Sequence, residues 1–567
     1  MLSTSKITNL GFVSKHIKIY LLTLTIIFLT TSGTLAQVPN WEWAKSAGVG
    51  QNDYGNSIYT DANGNIFATG SFDGGSITFG TTTLTSAGSY DIYIVKYSAD
   101  GNVLWAISAG GSGLDDSYDL CTDDNGNIFI TGFFRSESIS FGSTTLYNPN
   151  ADFGYDCFFI AKYDSNGNAL WAKTADGLGN IDGNSIALDN NGNIVITGFF
   201  DSNNATFEPI TLINTKALYS DIFIVKYNTD GNVVWAKSAG SDYYDYSSGI
   251  SANSNGDIFV TGYFSGPVIN FDSAALTNSG NDDVFIAKYD ANGNIIWVNS
   301  AIGTGDDRGT GISSDNNGNV FLTGLFASES ISFGSITLTG NGYDNIFVVK
   351  YDAAGSVGWA KFAGGDNNDE GMDIAVDNSG NIFVVGEFES NTITFGSTTL
   401  TNSSVDYSDI FITKYDNTGN IQWATSVGNN DDENIESVAT DAFGKVYVTG
   451  SFYSNNITFG TTTLVNADNT ENSTDLFIAK LNNVNSIDEQ SLHNSSIVYP
   501  NPFTNSIKVK NADNSVAEIV NVWGQQIKRI QIENNETPID VSDLLPGIYF
   551  LKLTGKTGMS VNKIIKE

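Results

Sequence analysis

Tryptophan recurs at Trp43, Trp105, Trp171, Trp235, Trp297, Trp359 and Trp423, at spacings of 62, 66, 64, 62, 62 and 64 residues. A glycine lies 27 residues after each one: Gly70, Gly132, Gly198, Gly262, Gly324, Gly386 and Gly450. A lysine recurs inside "FIVKY"-like runs at Lys96, Lys162, Lys226, Lys288, Lys350, Lys414 and Lys480. Each series has seven members. A fixed period of this length marks one supersecondary unit that stacks on copies of itself.

One unit reads as four main strands: "NSIALD", "GNIVITGFF", "DIFIVKY" and "NVVWAKS". The second and third are short apolar runs rich in Ile, Val and Phe, which suits strands buried on both faces. A sheet wedged between two neighbouring sheets is buried in that way, and that is the blade of a propeller. Between second and third strands an alternating insert such as "SITFGTTTLTSAG" (76–88) predicts an added hairpin. The array opens on "WEWAKS" (41–46), a fourth strand with no blade before it. It ends on "DLFIAKL" (475–481), a third strand with no fourth after it. The first piece can complete the last blade, so Trp43 is expected there and the ring closes without exposed edges. The fold class is all-β: a seven-bladed β-propeller, then a small antiparallel β-sandwich. The recurring Trp is expected in the core between blades. The recurring Lys is expected to bury its stem and meet a carboxylate.

Five-residue segments such as "DNNGN" (189–193) occur thirteen times, with Gly always fourth. The helix-loop-helix calcium motif needs Gly at position 6 and Glu at position 12. Position 12 of the seven segments before second strands is Phe, as in Phe72 and Phe200. These are therefore turns: Asp bonds the turn backbone, and Gly takes the left-handed position.

Charge divides the chain. Residues 37–486 carry 53 Asp and Glu against 15 Lys and Arg, whereas 497–567 carry 7 against 8. An acidic body of this kind repels nucleic acid and anionic membrane. Residues 1–36 read as a signal peptide: Lys6, Lys15 and Lys18, an apolar run, then Thr34-Leu35-Ala36 before Gln37. The expected domains are thus a signal peptide (1–36), the propeller (37–486), a linker (487–496) and a C-terminal domain (497–567). No membrane span is expected in the mature chain. Cys121 and Cys157 fall two strands apart, too far for a disulfide, so two buried free thiols are expected.

The only histidines are His16 and His493, in the signal and the linker. The repeats therefore hold no Ser-His-Asp or Cys-His machinery and no His-containing zinc site. One acidic series stands out ten residues after each Trp: Asp53, Asp115, Asp245, Asp307, Asp369 and Glu433, with Asp182 one residue later in the third unit. A second begins third strands: Asp91, Asp221, Asp283, Asp409 and Asp475. The first is expected in the loops between blades, and both on one face, as a double collar of carboxylates with Tyr54, Tyr118, Tyr243, Tyr244 and Tyr246 beside it. Two readings stand. The carboxylates bond local amides and space the blades, or they bind a divalent cation such as calcium, or a glycan with Tyr as stacking platform. No cofactor is required by either.

At the C-terminus "YPNP", a strand–"GQQI" hairpin, "LPGIYFLKL" and "KIIK" resemble the type A sorting domain of the type IX secretion system, across 497–567. The resemblance implies a Bacteroidetes-type bacterium and a partnership between this tail and the secretion machinery. It also implies a secreted or cell-surface location. The repeats "DNNGNIFITGxF", "DIFIVKYD" and "NGNVLWAKS" are similar to bacterial SBBP β-propeller repeats, which carry no catalytic residues. The expected function is a non-catalytic binding or adhesion module whose partner is a glycan or a surface protein. The alternatives are a secreted carbohydrate-active enzyme and a purely structural surface element.

Overall fold

The computed structural model describes residues 39–467, 473–482, 497–510, 515–521, 526–532, 534, 537–555 and 558–566. The signal peptide expected at 1–36 and the linker expected at 487–496 lie outside them. The chain divides into two compact units, Met1–Asn482 and Asn483–Glu567.

Among the described residues the first unit is all-β and repeats one sheet seven times. In the third sheet the strands are Ile181–Leu188, Ile194–Phe200, Asp221–Tyr227 and Val233–Gly240, antiparallel in that order. The second and third strands are the apolar runs, and they are buried almost end to end. Alternation is absent because a sheet covers each face. Fourth strands are only partly buried, as in Val233–Gly240. The first strand begins three residues earlier than "NSIALD" suggests, because polar residues at its start still pair with the second strand.

First strands touch in a closed cycle, from Asp53–Thr60 against Asp115–Thr122 round to Glu433–Thr440, which returns to Asp53–Thr60. The closing sheet joins the two ends of the unit. Trp41–Ala47 pairs antiparallel with Asp475–Leu481, with Trp43 opposite Lys480 and Ala44 opposite Ala479. The predicted hairpin stands between second and third strands of every sheet, as in Ser76–Phe79 with Thr82–Thr85. Its buried Ile77 and Phe79 seat it on the core.

The thirteen turns have the predicted chemistry. In "DNNGN", Asp189 Oδ1 accepts from the amides of Asn191 (2.8 Å) and Asn193 (2.9 Å), and Gly192 has φ +74°. All thirteen glycines have φ between +74° and +84°. The turns between third and fourth strands also fasten neighbouring sheets. Trp235 Nε1 donates to Ala291 O of the next turn (3.2 Å), and Lys226 Nζ donates to the same oxygen (2.9 Å). Lys226 also meets Asp189 (2.7 Å), so its buried charge is paired. The Trp and Lys series thus form one clasp: cross-strand partners that share an acceptor on the adjacent sheet. Cys121 and Cys157 are free and buried in different clusters.

The second unit holds a three-stranded and a four-stranded antiparallel sheet. Ile507, Val509 and Ile539 of one share a buried cluster with Ala517, Ile519, Leu551 and Ile564 of the other.

Candidate functional site

The acidic series is not a solvent-facing rim. Asp53, Asp115, Asp245, Asp307, Asp369 and Glu433 are the first residues of first strands, not loop residues, and all are fully buried. Each amide bonds a carbonyl just before the third strand of the preceding sheet, as Asp115 N does with Tyr90 O (2.9 Å). The two acidic series therefore meet at the junctions between sheets: Asp53 with Asp475, Asp115 with Asp91, Asp245 with Asp221, Asp307 with Asp283, and Glu433 with Asp409. Asn345 takes one carboxylate's place beside Asp369. Loop donors hold these groups. Gly111 N and Ser136 Oγ each donate to Asp115 Oδ2 at 2.7 Å, and Ser390 Oγ donates to Asp369 Oδ2 at 2.7 Å. Burial, and then the paired acid, push Asp53 up to about 8. Burial first also raises Asp245 and Glu433 to about 8, and Asp307 and Asp369 to about 6.

The third sheet departs from the series. Ile181 occupies the junction position and faces Cys157's sheet through its amide bond to Asp156 O (3.0 Å). Asp182 is displaced by one residue, buried beside Asp156 and Arg135, with Oδ1 unbonded. Among the described residues no three His, Cys, Asp or Glu side chains converge on a point that could hold a metal ion.

The open site is the axis of the ring. First strands enclose a cavity of about 560 Å³ along their first halves and one of about 350 Å³ along their second halves, which share residues such as Ser57, Asp119 and Asp373. Every first strand carries a bulge at the same place, between Gly55 and Ser57 in the first sheet and between Ile435 and Ser437 in the last. A bulge leaves one residue out of the ladder and re-aims its side chain. The seven residues so released are Asn56, Tyr118, Asn184, Ser248, Thr310, Met372 and Glu436, and all seven line the cavity.

The recurring glycine explains the bulge. A Cβ on Gly132 would overlap Asp116 O, and one on Gly198 would overlap Asp182 O. The same clash with the first strand recurs at Gly70, Gly262, Gly324, Gly386 and Gly450. Only glycine lets the bulged strand approach so closely.

Below the bulge, Asp119 and Asp373 stand in the channel wall. Asp119 accepts from Ser57 Oγ (2.7 Å), Ser185 Oγ (2.8 Å) and the amides of Ile186 and Leu120 (2.8 Å each). Asp373 accepts from Ser437 Oγ (3.1 Å) and the amides of Val438 (2.9 Å) and Ile374 (2.7 Å). Burial raises both, Asp373 to about 6. Tyrosines gather at the same end. Tyr118 lies on Phe133 (5.4 Å), and Tyr219, Tyr244, Tyr246 and Tyr263 form a chain of ring contacts at 5.0, 6.3 and 5.3 Å.

Scanning for repeated acids finds the junctions and misses the bulged residues. Their signal is the opposite one: the single column of the first strand in which seven copies carry six different residue types, between columns of three types each.

An end-to-end closed set of repeated sheets, acidic and followed by a separate small all-β unit, defines an all-β repeat protein of propeller-like plan. Residues 497–567 match the family model of the secretion system C-terminal sorting domain, which directs the chain to the cell surface or the extracellular space. The chain is 26% identical over 500 residues to an uncharacterized WD repeat-containing protein of Acanthamoeba polyphaga mimivirus, covering 72% of this chain and 36% of that one. It is 24% identical over 315 residues to the regulatory protein FlaEY of Caulobacter vibrioides, covering 52% and 32%. The chain thus spans about a third of the length of these curated relatives. Among solved structures it is similar to PorZ, a bacterial surface component of the type-IX secretion system of Porphyromonas gingivalis. That match has 10% identity and a TM-score of 0.17, over 92% of this chain and 100% of that one. It is also similar to YCF48 bound to D1 peptide, at 7% identity and a TM-score of 0.34, over 80% and 100%.

Proposed function

We propose that the chain is an exported seven-bladed β-propeller of the SBBP type, acting as a non-catalytic binding or adhesion module, with the tail as a small β-sandwich recognised by the type IX machinery. The partner is a glycan or surface protein that enters the wide end of the axial channel. One observation carries this reading. The bulged column, all seven of whose residues line the cavity, carries six residue types in seven copies, more than any other column of the first strand. Variation that peaks in a concave, aromatic and polar mouth supports recognition.

The test is a glycan array probed with the full chain and with Tyr118→Ala, each with calcium and with chelator. Binding that Tyr118→Ala abolishes supports the reading. Ligands that bind both proteins equally well would overturn it. Calcium-dependent binding unaffected at Tyr118 would return the site to the junction carboxylates Asp53, Asp115, Asp182, Asp245, Asp307, Asp369 and Glu433.

A further inference from the structure

The axial wall below the bulges is a ring of capped amides with one gap. Two residues after each bulged residue a backbone amide turns to the axis, and in six of the seven sheets a side chain one residue below the bulge accepts from it. Ser437 Oγ accepts from Ile58 N (3.4 Å) and Ser185 Oγ from Ile250 N (3.3 Å). Asp119 accepts from Leu120 N and Ile186 N (2.8 Å each), and Asp373 from Ile374 N (2.7 Å) and Val438 N (2.9 Å). The seventh is Ile312, opposite Leu322 in the register that sets Ile58 opposite Ala68. Both side chains that could reach its amide are missing, because Gly249 and Gly311 stand where the other five sheets carry Ser or Asp. Among the described residues no side chain accepts from Ile312 N, and Ile312 is buried. A buried amide without an acceptor is rare in a native protein.

The two glycines differ. A Cβ on Gly311 would lie 2.8 Å from Asp373 Cα and 3.0 Å from Ile374 N, so the backbone of the next sheet requires glycine there. A Cβ on Gly249 would lie 3.0 Å from the Ile312 Cγ2 methyl, 3.2 Å from Thr310 O and 3.5 Å from Ile312 N. Gly249 therefore leaves a notch beside an open donor and a carbonyl. Ser185 shows what completes such a place: its hydroxyl accepts from Ile250 N and donates to Asp119 (2.8 Å).

We propose that this notch receives a hydroxyl of a neutral sugar chain entering the axial cavity, which accepts from Ile312 N and donates to Thr310 O. This rests on the reading of the mouth as a binding site and names the ligand class and its deepest contact. The open group is a donor, so an ammonium cannot bond it. A carboxylate or phosphate would stand in the same ring as Asp119 and Asp373, inside a strongly acidic body. A neutral hydroxyl avoids both penalties and replaces the serine of the other sheets. A peptide fits less well: its carbonyls need donors, and six of the seven axial amides at this level are already taken. A sugar carries donors with its acceptors, and Tyr118 and Tyr54 in the wall of the same cavity give its ring a flat surface to lie on. Ile312 lines both cavities, of about 560 and about 350 Å³, so the notch is reached from the mouth.

The experiment probes the full chain, Gly249→Ser and Gly249→Ala on one array of neutral, carboxylated and amine-bearing glycans, with capped serine-rich peptides printed beside them. The strongest neutral glycan is then titrated by calorimetry. The expected result is binding confined to neutral glycans and weakened tenfold or more by both variants. Asp272→Asn, which removes an exposed carboxylate paired with Lys237, leaves the affinity unchanged. Both variants at Gly249 meet the same methyl, but only Ser can cap Ile312 N, so Gly249→Ser melts at a higher temperature than Gly249→Ala. A Ser variant that melts no higher than the Ala variant would overturn the open donor. In the parent protein, hydrogen exchange at Ile312 N–H slows when the titrated glycan binds, which needs no variant; unchanged exchange would overturn the proposal. So would a preference for carboxylated or amine-bearing glycans, or for the peptides. If a neutral glycan binds in a Tyr118-dependent way but equally well to Gly249→Ser, the notch assignment falls and the mouth reading stands. If nothing binds, both fall.

Discussion

At the residue scale the dominant fact is that this chain buries acids on purpose. A carboxylate between two sheets is tolerated when amides and hydroxyls surround it, and the loop before the first strand and, in several sheets, a serine after the second supply them. The pairing still sets acid against acid, and the consequence for pH follows. These groups hold protons more tightly folded than unfolded, so between about pH 4 and 8 the folded state binds more protons. Their contribution is complete at the acid end and is lost as pH rises through the folded values of about 6 and 8. A tenfold change in proton affinity is worth about 1.4 kcal/mol. Thermal melts from pH 5 to 9 should show the melting temperature falling with rising pH. Asp53→Asn should raise it at pH 8.5 and leave it nearly unchanged at pH 5, as Asn345 does the same duty in its own junction. A melting temperature that climbs from pH 5 to 8.5 would contradict the buried pairs.

At the element scale the first strand and its glycine partner form one device. The bulge exists because the second strand lacks a Cβ where the carbonyl of the bulged strand must sit. Gly132→Ala forces one of them to move, and overpacking of this kind costs about 1–3 kcal/mol. It should also withdraw Tyr118 from the cavity. Urea melts measure the first effect, and loss of any Tyr118-dependent ligand measures the second. A neutral Gly132→Ala would mean the glycines serve something other than the bulge.

At the scale of the whole molecule, stability depends on the joined ends. Ala44 and Ala479 stand opposite each other across the closing pair, and antiparallel partners lie about 4.5–5.5 Å apart at Cα, within disulfide range. The double variant Ala44→Cys with Ala479→Cys should crosslink on oxidation and add about 2–4 kcal/mol, read as a higher urea midpoint that reductant reverses. Failure to crosslink would place the ends apart. The tail acts on the same scale. Deleting 497–567 should leave a folded ring in the periplasm, detected by cell fractionation, and undiminished export would count against its sorting role.

The sequence by itself determined the repeat, the four strands of each unit, the turn chemistry, the joining of Trp41–Ala47 to Asp475–Leu481 and the free thiols. Each of these is local or periodic: alternation, Gly at a left-handed position, and two half-sheets that complete each other. Only the tertiary structure decided where the acids go and which residues face the axis. Asp53 and its sisters look exposed because their donors come from a loop four residues away and, at Asp115, Asp307 and Asp369, from a serine after the second strand of the same sheet. Asn56 to Glu436 look like ordinary strand residues because a bulge breaks the two-residue alternation. That break is a property of the register between strands, and no single strand records it.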